Sequence, residues 1–117
     1  MKVKLIDFNG RAPVRAHDND AGADVFSPRA QTIYPGQVYK LPLGFGLELP
    51  AGLVGFVFPR SSLSARGIVC ELPPIDSGYR GEIHAVVTNV SNDGYDIKEG
   101  ERIGQLVILP VVTPELT

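Results

Sequence analysis

Leu41-Pro42-Leu43-Gly44-Phe45-Gly46-Leu47-Glu48-Leu49 sets an apolar side chain at every second position. That is the period of a strand with one buried face, not of a helix. After the turn signal Pro50-Ala51-Gly52, Leu53 to Phe58 is nearly all apolar, as a strand buried on both faces would be. Two strands joined by a tight turn therefore lie at the centre of the sequence.

Outward from that centre the same grammar repeats. Val3 to Phe8 reads as a first strand, with Val3, Leu5 and Asp7 on one face and Lys4, Ile6 and Phe8 on the other. Arg11 to Asp20 is polar, broken by Pro13, and reads as a connection. Ala21 to Phe26 gathers small residues around Asp24, which predicts close backbone approach there. Gln31 opens a further strand, with Pro35-Gly36 as its turn. Ile83 to Val90, Tyr95 to Ile97 and Ile103 to Val112 supply more, divided by Asn92-Asp93-Gly94 and Lys98-Glu99-Gly100-Glu101. Only Ser61 to Arg66 suits a helical turn or two, capped by Ser61 or Ser62. The expected fold is all-β: a jelly-roll-like sandwich or barrel with one short helix, residues 1–117 forming a single domain.

Composition narrows the function. Eleven basic and thirteen acidic residues leave a net charge of −2, which excludes a broad electrostatic footprint for nucleic acid or anionic membrane. Thirteen Gly and ten Pro are spread evenly, so turns are frequent and helices short. Cys70 has no partner for an internal disulfide, and no basic-then-apolar leader begins the sequence, so the expected compartment is a reducing cytoplasm. No apolar run reaches the ~18 residues needed to span a bilayer.

Two stretches carry chemistry. In Ile75-Asp76-Ser77-Gly78-Tyr79-Arg80-Gly81-Glu82-Ile83 an acid, a turn, an aromatic ring and a base lie between apolar flanks. A two-residue turn at Ser77-Gly78, with Gly78 free to take positive φ, predicts a hairpin with Asp76 and Tyr79 facing each other at its mouth. In Pro59-Arg60-Ser61-Ser62, backbone N–H groups at a helix start, two hydroxyls and a guanidinium make a ready anion site, most naturally for phosphate.

Ala21 to Val25, Pro59 to Gly67, Ile75 to Ile83 and Gly100 to Leu106 resemble, in order and spacing, four of the five motifs of the trimeric dUTPases (dUTP diphosphatases). The linking stretch LPLGFGLELPAGLVGFVF is similar to that family too. The resemblance implies hydrolysis of dUTP to dUMP and pyrophosphate by a homotrimer with sites at subunit contacts. It implies Asp76 as the general base for water attack on the α-phosphorus; a carboxylate is ionised at neutral pH, as that role requires. Tyr79 would pack under the deoxyribose and exclude a 2′-hydroxyl, and the backbone from Leu72 to Ile75 would pair with the uracil edge. Arg60, Ser61, Ser62 and Gln105 would hold the triphosphate, with Glu101 orienting Arg60 by an ion pair. Asp24 would position a magnesium-bound water network, the ion being gripped mainly by substrate phosphate oxygens.

Two departures from the family pattern stand out. The stretch Gly67 to Pro74 is short and lacks the Asn that many members place in the uracil pocket, while Pro73 and Pro74 remove two N–H donors. The Gly-rich fifth motif, an arm that folds over base and γ-phosphate, is absent before the sequence ends at Glu115-Leu116-Thr117. The expectation without such a lid is binding with slow turnover. A nucleotide-binding regulator on the same fold is the alternative. dCTP deaminase, which shares the fold, needs a catalytic Glu where Val86 stands.

The remaining candidates read as structural. Cys70, with no neighbouring His, is a small buried hydrophobe; His17 and His84 lack metal-ligand spacing; Phe56 and Phe58 belong to the core. Arg80 reads as an ion-pair partner of Glu82 or of a neighbouring subunit, with a site role as the other option.

Overall fold

The computed structural model describes residues 1–117. Its strands are β1 (Lys4–Asp7), β2 (Gly22–Phe26), β3 (Gln31–Ile33), β4 (Val38–Pro42), β5 (Phe45–Glu48), β6 (Leu53–Pro59), β7 (Ile68–Glu71), β8 (His84–Asn89), β9 (Tyr95–Ile97) and β10 (Arg102–Pro110). One helix, α1 (Ser61–Ala65), lies between β6 and β7. All pairings are antiparallel, in two three-stranded sheets, β2-β10-β6 and β4-β8-β7, and two ribbons, β1-β5 and β3-β9. Val25, Val57 and Leu106 from the first sheet share one buried cluster with Leu41, Ile68, Ala85 and Val87 from the second. Each Val, Leu or Ile among them contributes about 1.5–3 kcal/mol when removed from water. The result is a jelly-roll-like sandwich. No helix is long and apolar enough to cross a membrane.

The apolar alternation at 41–49 does mark the core, since Leu41, Leu43, Phe45, Leu47 and Leu49 are all buried. It is not one strand, however. The chain breaks between β4 and β5 at Gly44, whose φ is 80° and whose Cα packs against the backbone of Gly10. A side chain on either glycine would collide with backbone.

Other expectations need correction. β6 is buried only at Gly55 and Val57, and its other residues, including the Phe56–Phe58 pair, are half-buried. Those two rings pack on each other with centroids 5.9 Å apart instead of joining the core. The helix is capped by Arg60 without a side-chain hydrogen bond, not by Ser61 or Ser62. The sequence offers no signal for β7, because four residues between Gly67 and Leu72-Pro73-Pro74 carry too little periodicity to announce a strand.

Candidate functional site

The turn at Asp76-Ser77-Gly78-Tyr79 exists, closed by a 3.0 Å bond from the Tyr79 N–H to the Asp76 carbonyl. It is not the tip of a tight hairpin. It lies within the long connection 72–83 that joins the paired strands β7 and β8. Gly78 does not take positive φ. The connection is pinned on one side by Ile75, which exchanges hydrogen bonds of 2.8 and 3.1 Å with Gly55 of β6. On the other side Ile83 bonds Phe45 and Leu43 at 2.8 and 3.0 Å. Asp76 and Tyr79 are thereby held on one wall of a cleft of about 250 Å³, with Ile75, Pro73 and Pro74 beside them.

The floor of that cleft comes from the three-stranded sheet. Register sets Lys40 and Glu71 on either side of Val86, and all three line the cleft with His84. Glu71 and Lys40 were not singled out from sequence; only the pairing of β4 and β7 with β8 brings them to Asp76. His84 donates through Nδ1 to the Glu82 carbonyl at 2.9 Å, which leaves Nε2 free. Leu72 does not line this cleft; it is exposed, in a shallow groove with Val69 and Cys70.

A second cleft of about 230 Å³ gathers Asp24, Arg60, Ser61, Arg102, Gly104 and Gln105. The register of β10 explains it: Gln105 stands opposite Asp24 on β2 and Phe58 on β6. The Gln105 side chain lies across Gly22, where a Cβ would strike its amide oxygen. Arg102 approaches Asp24 to 3.5 Å, and its carbonyl accepts from Arg60 Nη1 at 3.2 Å. Two guanidiniums against one carboxylate suit an anion with several charged oxygens. Ser62 is exposed and outside this lining. Arg102 went unremarked in the sequence, although it adjoins Glu101 in the quoted stretch; its ion pair with Asp24 is visible only across strands.

Glu101 does not pair with Arg60. Its carboxylate accepts the Tyr95 hydroxyl at 2.6 Å and the Lys98 N–H at 3.1 Å, tying the β9–β10 turn. Burial, then this bond and the Glu101 charge, push the Tyr95 phenol up from its ordinary value. Arg80 makes no ion pair with Glu82; it donates to the turn carbonyls of Ser77 and Tyr79. Cys70 is half-buried, and burial followed by the charge of Glu71 pushes its thiol up, which lowers its reactivity.

The two clefts share no lining residue. Along β6, Val57 lines the first and Pro59 the second, two residues or about 7 Å apart at ~3.3 Å per residue.

Comparison with known proteins gives these features a context. The family model for dUTPase matches residues 9–117. The chain is 45% identical over 120 residues to the deoxyuridine 5′-triphosphate nucleotidohydrolase of Mycobacterium sp. (strain JLS), covering 99% of this chain and 78% of that one. It is 37% identical over 115 residues to the enzyme of the same name from Clostridium tetani, covering 96% and 79%. Among solved structures, the Staphylococcus bacteriophage 80alpha dUTPase superposes with a TM-score of 0.89 at 32% identity, covering 99% of this chain and 93% of that one. A mutant dUTPase from phage phi11 of S. aureus, in which a structural Mg(II) ion is coordinated, gives a TM-score of 0.93 at 27% identity, covering 100% and 95%.

Proposed function

The chain belongs to the dUTPase family, and from that premise we propose how its residues divide the hydrolysis of dUTP to dUMP and pyrophosphate. The observation that carries the reading is the joint presence of Asp76 and Tyr79 on one cleft wall, coupled by the turn between them. Asp76 accepts a proton from water as that water attacks the α-phosphorus, and pyrophosphate departs with the electron pair of the cleaved P–O bond. Tyr79 packs against the deoxyribose and leaves no volume for a 2′-hydroxyl. The backbone near Ile75 pairs with the uracil edge. Arg60, Ser61 and Gln105 hold the phosphates, assisted by Arg102, which lines the same cleft.

The water that Asp76 activates must lie ~3 Å from both its carboxylate and the phosphorus. Within one chain Asp76 lines one cleft and Asp24, Arg60, Ser61 and Gln105 line the other, with no residue in common. With the family membership, this division supports a homotrimer in which Asp76 of one subunit faces the phosphate cleft of another. Residues 1–117 act in it as one domain around a core of sixteen buried apolar residues. The single unbridged Cys70 is in keeping with a cytoplasmic setting.

Magnesium fits the donor set. No group of three His, Cys, Asp or Glu side chains is placed to cage a metal, and Asp24 alone offers a carboxylate in the phosphate cleft. That suits a hydrated ion gripped by substrate oxygens, with Asp24 holding one of its waters. When bound, the ion neutralises phosphate charge.

The test is pyrophosphate release from dUTP, dTTP, dCTP and UTP. Selective turnover of dUTP is expected, and Asp76→Asn should lower kcat at least ~10²-fold while a non-hydrolysable dUTP analogue still binds. A smaller loss would remove Asp76 from the role of base.

A further inference from the structure

Tyr79 is 44% exposed, so core packing does not hold its ring. Two backbone features do. Its hydroxyl donates to the Glu82 carbonyl at 2.8 Å. The ring also lies against Gly81, where a Cβ would stand 2.5 Å from the phenol oxygen and 2.7 Å from Cζ. The ring therefore takes its position from the main chain at residues 81–82, outside any strand.

That main chain is held at Ile83 by its bonds to Phe45 and Leu43, and one residue earlier by the side chain of Glu82. The half-buried carboxylate accepts the Gly44 N–H at 2.9 Å. Gly44 is itself a fixed corner: its carbonyl accepts from Phe8 N at 3.0 Å and Gly10 N at 2.9 Å. The Glu82 carbonyl that receives the phenol also takes the 2.9 Å bond from His84 Nδ1. Glu82 does not line the cleft, so it has no direct access to a nucleotide there.

We infer that Glu82 is a positioning residue for substrate selection: by clamping residues 81–82 to the Gly44 corner it fixes the Tyr79 ring, and so fixes how strictly a ribonucleotide is refused. The inference rests on the reading of Tyr79 as the ring beneath the sugar. Because the clamp is a hydrogen bond accepted from an N–H, Gln at 82 can still make it. Asp keeps the charge, but it is one methylene too short to reach.

The experiment compares wild type, Glu82→Gln, Glu82→Asp and Glu82→Ala for kcat/KM on dUTP and on UTP, with a thermal melt of each. Glu82→Ala and Glu82→Asp should lower the dUTP-to-UTP ratio at least about tenfold, as a ring displaced by an ångström would. Glu82→Gln should stay within about threefold of wild type. A wild-type ratio in Glu82→Asp, or a Glu82→Gln ratio as low as that of Glu82→Asp, overturns the clamp, and this pair decides even if Glu82→Ala does not fold. If wild type itself hydrolyses dUTP and UTP alike, the reading of Tyr79 fails first and the clamp falls with it.

Discussion

The carboxylate of Asp24 lies 3.5 Å from the guanidinium of Arg102, across the β2–β10 pair and on the wall of the cleft that holds Arg60, Ser61 and Gln105. Both partners keep access to solvent, so the pair contributes about 0–1 kcal/mol to stability. Its significance is chemical: Arg102 keeps a carboxylate aimed into a cleft otherwise suited to anions. Asp24→Asn should therefore leave the unfolding midpoint nearly unchanged. Pyrophosphate release at fixed magnesium should fall at least about tenfold and recover partly as magnesium is raised. A loss untouched by magnesium would sever Asp24 from the metal.

Subunit mixing tests whether the two clefts of one site come from different subunits. Asp76→Asn and the double variant Arg60→Ala/Gln105→Ala should each be nearly inactive alone. Refolded together in equal amounts, they should regain about a quarter of wild-type activity. That is the share of sites pairing an intact Asp76 with an intact phosphate cleft by random assortment in a closed oligomer. No gain on mixing would mean that one chain supplies the whole site.

Alkaline pH should weaken the fold through Tyr95. Burial, the Glu101 hydrogen bond and the Glu101 charge raise its phenol above the ordinary 10.0. The unfolded chain then releases this proton first, so stability is fully present below pH 10.0 and falls as pH climbs through the raised value. The raised Cys70 thiol acts in the same sense from a lower start, its ordinary value being 9.0. Urea midpoints measured from pH 8 upward should decline, and Tyr95→Phe should flatten the upper part of that decline.

Gly44→Ala should be costly. Its φ of 80° strains any L side chain, and the new Cβ would run into the backbone of Gly10. A loss of about 2–3 kcal/mol at an unchanged urea slope is expected. A loss below about 0.5 kcal/mol would mean the Gly10–Gly44 contact yields freely.

Much of this molecule is legible in its letters. The buried set Leu41, Leu43, Phe45, Leu47 and Leu49 follows from period-two alternation, which any strand with one buried face imposes locally. The meeting of Asp76 with Tyr79 is legible for a similar reason, since four residues suffice to close a turn. The Glu101–Arg60 and Arg80–Glu82 ion pairs were wrong because proximity in sequence is a poor guide once backbone carbonyls and phenols compete for the same charges.

The sequence by itself determined the strand-rich class, the core face and the turn that sets Asp76 beside Tyr79. Only the tertiary structure decided that Arg102 meets Asp24, that Glu71 and Lys40 flank Val86, and that Glu82 reaches Gly44. Side-chain periodicity is a property of one strand, readable along the chain. Partnership across strands depends on register and sheet order, which a local pattern does not encode.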